Sequence, residues 1–217
     1  GAARSLAPDM GAAVTAVVPR GSATPEECIA RGADEVLVLA DLAPGEPFGA
    51  HLPVIEQEAR GGSPDLILFS ATARGKETAA RLAARLGAGL CSACTSLAFD
   101  RGSGSLIMER LAYGGAATQK LAAPAKPVIV TVPPRSVEPA APREGRQGRT
   151  RELPAPPPSA VKIVERKPKE RVAKDITEAR VIVCAGREFD KREDLALARE
   201  LADALGGELG ATRPVTE

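Results

Sequence analysis

Apolar residues along the chain follow two alternating rhythms, short continuous runs and stripes at helical spacing. Residues 13–18, 35–39 and 65–69 are compact runs rich in Val, Leu and Ile, and they read as strands. The stretches 36–39 and 66–69 are apolar at every position, which predicts central, fully buried strands of a parallel sheet. Helical signals lie between them. Thr24-Pro25-Glu26-Glu27 offers an N-cap hydroxyl, a proline at N1 and a carboxylate at N3, opening a helix that Gly32 would close. A second helix is expected within 47–59. A third places Ala79, Leu82, Ala83 and Leu86 on one face and ends at Gly87. Strands alternating with helices predict a doubly wound, mainly parallel α/β sheet.

After Gly87 the rhythm changes. Residues 96–99, 106–110 and 127–132 read as strands, joined by turns at 100–104 and at Gly114-Gly115. Eight of the 19 prolines then fall between 133 and 158, so 133–160 reads as an extended surface excursion, largely without regular structure. One more strand is expected at 161–165. The first pattern restarts late in the chain. Residues 179–184 form a strand with Ala185-Gly186-Arg187 as its exit turn, and Asp190 with Glu193 forms a capping box. The helix it opens would carry Leu197, Ala198, Leu201, Ala202 and Leu205 on one face and end at Gly206-Gly207, before a strand and loop from 208. The division expected is a first α/β domain, 1–172, and the start of a second, 173–217. One helix and its strands cannot bury a core alone, so apolar positions such as Leu197 and Leu201 are expected to lie uncovered.

Composition narrows the chemistry. Hydrophobic residues are 44% of the 217 and aromatics only 2%, so the core is built from Ala, Val, Leu and Ile. Lys and Arg (29) nearly balance Asp and Glu (28), and no basic stripe interleaved with aromatics points to nucleic acid. No apolar run is long enough to span a membrane. The first seven residues look like the inside of a helix, with neither an initiator Met nor a signal-peptide pattern. The four cysteines, Cys28, Cys91, Cys94 and Cys184, sit in apolar segments, which suits a reducing cytoplasm. Cys91-Ser-Ala-Cys94 could be half a zinc site or a redox pair. With His51 the only histidine and no second pair, two buried reduced thiols are expected instead.

Several separated motifs carry a resemblance. Pro64-Asp-Leu-Ile-Leu-Phe-Ser-Ala-Thr-Ala-Arg-Gly75, the stretch 80–89, Cys94-Thr95 and Arg110-Leu-Ala-Tyr-Gly-Gly115 match, in order and spacing, motifs of electron transfer flavoprotein alpha subunits. The strongest match runs from Ala179-Arg-Val-Ile-Val-Cys-Ala-Gly-Arg187 through 201–206 to Gly210-Ala-Thr-Arg213. The chain departs from the family at Glu188, where a Gly is usual, and at Thr212, where a Ser is usual. The resemblance implies an adenine-nucleotide-hydrolase-like first domain followed by the start of an FAD-binding domain. It also implies a first strand upstream of Gly1, and later turns around the flavin (a QTG-type turn, an SGAIQH-type motif and a late Asn), none of them among these residues.

What the resemblance implies about function is an electron carrier, with no catalytic residues of its own. It would pair with a beta subunit and hold FAD. Electrons would pass from dehydrogenases, such as the acyl-CoA dehydrogenases of fatty acid oxidation, to a quinone oxidoreductase or soluble acceptor. Arg187 would fork onto the FAD pyrophosphate. The Thr212 hydroxyl would hydrogen-bond the cofactor, and Arg213 would set a positive charge beside the ring, raising its first reduction potential. Residues 1–217 alone are expected to carry no stoichiometric FAD.

Position alone leaves plainer readings open, namely a strand-end Arg paired with a carboxylate and an ordinary Thr-Arg-Pro loop. Two other functional classes also stay open. One is an adenine-nucleotide enzyme using the loop 18–22, and the other is a flavin-free structural partner. Ser70 and Ser92 lack a nucleophile-elbow frame, and Gly102-Ser-Gly104 lacks the strand-to-helix setting of a phosphate loop.

Overall fold

The computed structural model describes residues 1–123, 125–167, 176, 179–189, 191 and 193–216. They fall into two compact units, 1–164 and 165–217. The expected boundary at 172/173 and the capping residue Asp190 lie outside the described residues.

In the first unit a helix α1 (Ala2–Met10) precedes β1 (Thr15–Pro19), α2 (Pro25–Ala30), β2 (Glu35–Leu39), α3 (Leu52–Gly62), β3 (Leu66–Ser70) and α4 (Ala73–Leu86). Thr24 and Gly87 cap as read from the sequence, and Thr72 adds a cap that was not read there. Thr24 Oγ1 accepts the Glu27 amide at 3.2 Å, and Glu26 and Glu27 occupy the positive end of the α2 dipole. Thr72 Oγ1 accepts the Gly75 amide at 3.1 Å, and Gly87 closes α4 in the left-handed region. An antiparallel meander follows, β4 (Gly89–Cys91) leading into β5 (Cys94–Asp100), β6 (Ser105–Ala112) and β7 (Ala117–Ala123). Tyr113, at the β6–β7 turn, has φ 53 and is 89% exposed. Then come β8 (Val128–Val132) and β9 (Arg149–Glu152).

The parallel strands form two three-stranded sheets, ordered β1-β2-β9 and β3-β8-β4. Val36–Leu39 is central and buried, as expected. Residues 66–69 are a strand but not a central, fully buried one. β3 lies at the edge of its sheet, paired on one side with β8, and these residues are only half-buried because the other edge faces an open groove.

The excursion 133–160 is largely without regular structure, as expected, apart from β9. β9 joins β2 from Glu35↔Arg149 to Val38↔Glu152, and Leu153 is buried against Leu37, Leu39 and Val54. An ion pair between Arg151 and Glu58, at 2.6 Å, ties this strand to α3. The strand expected at 161–165 does not form. Ile163 donates its amide to the Gly45 carbonyl at 2.7 Å, and Val164 is exposed, so the apolar side chains there find no sheet face to cover.

Asp34 ties three segments together. Its carboxylate accepts the Val14 amide at 2.8 Å and an Arg4 guanidinium at 3.0 Å, and pairs with Arg146. The Val14 hydrogen bond, helped by the two arginines, holds its carboxyl below the usual carboxylate range. The resulting stability is present above the unfolded carboxyl value, about 3.9, and is lost as pH falls through the lower folded value. Asp34→Asn should therefore be less stable than the parent at pH 6, with the gap closing as the pH is taken through and below 4. Denaturant midpoints across that range check this, and a gap constant with pH would refute it.

The second unit holds β10 (Ile182–Ala185), α5 (Leu195–Ala204), β11 (Glu208–Ala211) and a short helix α6 (Arg213–Thr216). β10 and β11 pair in parallel from Ile182↔Glu208 to Ala185↔Ala211. The single apolar face expected on α5 divides in two. Ala198 and Ala202 are buried, whereas Leu197, Leu201 and Leu205 are 71%, 52% and 55% exposed. Small side chains let the helix approach its sheet closely, and the leucine row faces outward.

Candidate functional site

Parallel pairing brings the three residues singled out by the sequence in the second unit, Arg187, Thr212 and Arg213, to one edge. β10 ends at buried Ala185, whose carbonyl accepts the Thr212 amide at 3.0 Å. That bond stitches the exit of β11 to the exit of β10, so Arg187 and the pair Thr212-Arg213 emerge from adjacent strand ends. Open α/β sheets bind ligands at such carboxyl edges. The turn after β10 is closed by the Phe189 amide donating to the Gly186 carbonyl at 3.1 Å, and a Cβ on Gly186 would meet no atom within 4 Å. The backbone at this edge is thus open to a closely approaching ligand. Arg187, Thr212 and Arg213 are all exposed. Two guanidinium groups and a hydroxyl supply a donor set suited to anionic oxygens.

A depression of about 540 Å³ in the same unit is lined by Glu188, Glu193, Asp194 and Glu200 together with Phe189, Ala196 and Leu197. Four carboxylates give it the wrong sign for a phosphate-bearing ligand. Sequence reasoning noted Glu188 only as a departure and did not gather it with the other three. The spacing of Glu193, Asp194, Ala196, Leu197 and Glu200 along one helical side was the available signal.

Other sequence candidates take structural roles. Cys91 and Cys94 are buried and free, and no group of three metal-ligating side chains occurs among the described residues. Burial, with Cys94 beside it, pushes the Cys91 thiol up to about 11, where little thiolate exists at neutral pH. His51 is buried edge-on to Phe48, and burial lowers its pKa. In the loop 18–22, the Arg20 amide is spent on the Leu39 carbonyl and the Ser22 hydroxyl on the Pro19 carbonyl, so neither is free to cradle phosphate. Asp100 accepts the amides of Gly102 and Ser103, which makes 100–104 a turn. No described helix is long and apolar enough to cross a membrane.

Comparison with known proteins agrees with this division. The electron transfer flavoprotein domain family matches residues 1–158, and the electron transfer flavoprotein FAD-binding domain family matches 175–217. The chain is 31% identical to an electron transfer flavoprotein subunit alpha of Thermoanaerobacterium thermosaccharolyticum, over all of this chain and 68% of that protein. It is 30% identical to the protein FixB of Clostridium saccharobutylicum, over all of this chain and 66% of that protein. With an electron transfer flavoprotein subunit alpha of Mycobacterium leprae the identity is 34%, over 76% of this chain and 50% of that protein. The chain thus spans between half and about two thirds of the length of these relatives. With one family pattern over its first 158 residues and the FAD-binding pattern over its last 43, the chain belongs to the electron transfer flavoprotein alpha-subunit family.

Proposed function

We propose that the chain serves as the FAD-holding alpha subunit of a heterodimeric electron carrier. The observation that carries this reading is the meeting of Arg187, Thr212 and Arg213 at one open sheet edge, within the stretch matched by the FAD-binding family. The donor set suits the group, since an FAD diphosphate presents anionic oxygens that a guanidinium can fork onto. Arg187 would hold the diphosphate. The Thr212 hydroxyl would fix the cofactor's orientation through one hydrogen bond. Arg213 would keep a permanent positive charge near the flavin ring and favour its anionic forms. Bound FAD would supply the redox chemistry, accepting and releasing electrons at its isoalloxazine ring.

A beta subunit would be the constant partner, engaged chiefly through the first unit. Acyl-CoA or other dehydrogenases would donate electrons, and a quinone oxidoreductase or soluble acceptor would receive them. The setting proposed is the cytoplasm. The native protein, purified with its beta subunit, should show the visible absorption of flavin and release FAD on denaturation. A colourless heterodimer that binds ATP in calorimetry would reject this reading in favour of a nucleotide enzyme.

A further inference from the structure

We propose that His51 is the trigger of an acid-released latch: when its ring takes up a proton, the segment 45–51 opens and frees residues 159–163, the stretch that leads into the second unit. Two hydrogen bonds hold that stretch to the first unit. The Ser159 amide donates to Glu46 Oε1 at 2.9 Å, and the Ile163 amide donates to the Gly45 carbonyl at 2.7 Å. Val161 and Val164 beside them are exposed, so little apolar packing supports the attachment. The second unit begins at 165, directly beyond it.

Both acceptors belong to one short segment, and that segment ends in a buried imidazole. From Glu46 the chain enters a 3-10 turn, Phe48–His51, which continues into α3. His51 is 3% exposed, its ring stands edge-on to Phe48 at 5.3 Å, and its Nδ1 is buried with no hydrogen-bond partner among the described residues. A neutral ring tolerates this setting. A charged ring with two N–H donors does not, because desolvation and an unpaired donor both act against it.

The charges around the ring do not remove that penalty. Glu46 is the carboxylate that acts on the imidazole, and its Oε1 is already engaged by Ser159. To accept a proton from Nδ1 it would have to turn from Ser159, which loosens the same attachment. From α4, Arg74 lies over the Phe48 ring, and Arg81 reaches Gly49, where a Cβ would stand 2.7 Å from its Nη1. Both cations disfavour a further positive charge. Glu77 is paired with Arg81, and Glu56 of α3 with Arg60 and Arg85. Leu37, Leu39 and Leu153, packed against Phe48 from the first sheet and the end of β9, carry no charge.

Burial holds the His51 pKa below its ordinary value of about 6.5, and opening restores that value. Above about 6.5 the ring is neutral in both forms and the latch stays closed. As pH falls further, the opened form binds the proton first. Opening is then favoured by up to about tenfold per pH unit, until the closed form titrates as well.

Amide hydrogen exchange of the chain tests this, with protection corrected for the intrinsic effect of pH on exchange. Between pH 7 and 5.5, protection at 159 and 163 should fall about threefold or more. Protection at 128–132 in β8 should stay unchanged and report that the first unit is folded. His51 is the only histidine of the 217 residues, so no other imidazole among them titrates in this window. His51→Gln, neutral throughout, should remove the pH dependence at both amides. Ser159→Pro deletes the amide that Glu46 holds, and should leave 163 weakly protected already at pH 7. Protection at 159 and 163 that is constant with pH in the parent would overturn the proposal, as would the same fall in His51→Gln. Loss at 128–132 in step with 159 and 163 would overturn it too, by making the acid effect a global unfolding. Should His51→Gln itself exchange faster at 128–132, Ser159→Pro decides: residue 163 as protected and as pH-sensitive there as in the parent would sink the latch.

Discussion

Arg213→Ala is expected to lower the first reduction potential of FAD bound to the native protein. A guanidinium near the ring attracts the extra negative charge of the reduced flavin, so removing it makes reduction harder. A unit charge a few ångströms away contributes on the order of 1–4 kcal/mol between water-like and intermediate screening, which is roughly 40–170 mV for a one-electron step. Exposure of Arg213 at the strand edge argues for the lower part of that span unless the assembled protein excludes water from it. Redox titration with FAD still bound is the measurement. An unchanged or higher first potential would remove Arg213 from the role proposed for it. The same titration of Arg187→Ala offers a contrast, because a diphosphate-holding residue should weaken FAD retention more than it shifts the potential.

The second large effect concerns folding. Gly75 occupies the first turn of α4, where helix propensity alone would make alanine better than glycine by about 1 kcal/mol. The structure reverses that sign. A Cβ at Gly75 would stand 1.9 Å from the Ser70 carbonyl oxygen and 3.2 Å from the capping Thr72 Oγ1. The clash is with backbone at the end of β3, so relief requires α4 or the strand end to shift, and the cap bond from the Gly75 amide to Thr72 would be strained in either case. Overpacking of this kind typically costs 1–3 kcal/mol and exceeds the propensity gain. Gly75→Ala should therefore lower the denaturant midpoint at unchanged slope. A variant as stable as the parent would show that the β3–α4 turn yields more easily than its packing implies.

Elements whose burial and capping agree were legible in the sequence. Val36–Leu39 is apolar at each position and buried at each, and Thr24 and Gly87 cap where the pattern placed them. β9 was not legible, because Arg-Thr-Arg-Glu has no apolar alternation. Backbone pairing with β2 and the Arg151–Glu58 ion pair position it, and Leu153, just beyond it, is the apolar anchor. β7 escaped for a related reason. Its Ala, Gln and Lys residues are weak strand formers on an exposed edge, and its register with β6 is what orders it. Residues 161–165 misled in the opposite sense, with apolar side chains at strand spacing but nothing to cover. At the candidate site, motif resemblance selected Arg187, Thr212 and Arg213 one by one. Their juxtaposition depends on the Thr212–Ala185 hydrogen bond, a tertiary fact that spacing does not encode.

The position of Tyr113 has a practical consequence for anyone following this chain in solution. The protein has no tryptophan and a single tyrosine, which stands 89% exposed at a hairpin tip. A phenol already in water changes its surroundings little when the core melts, so intrinsic ultraviolet emission will be nearly silent to global unfolding. Backbone-sensitive optical signals must report the folding transition. The same silence makes the tyrosine a clean reporter of whatever settles on that hairpin, since any change in its emission would arise there and not in the interior.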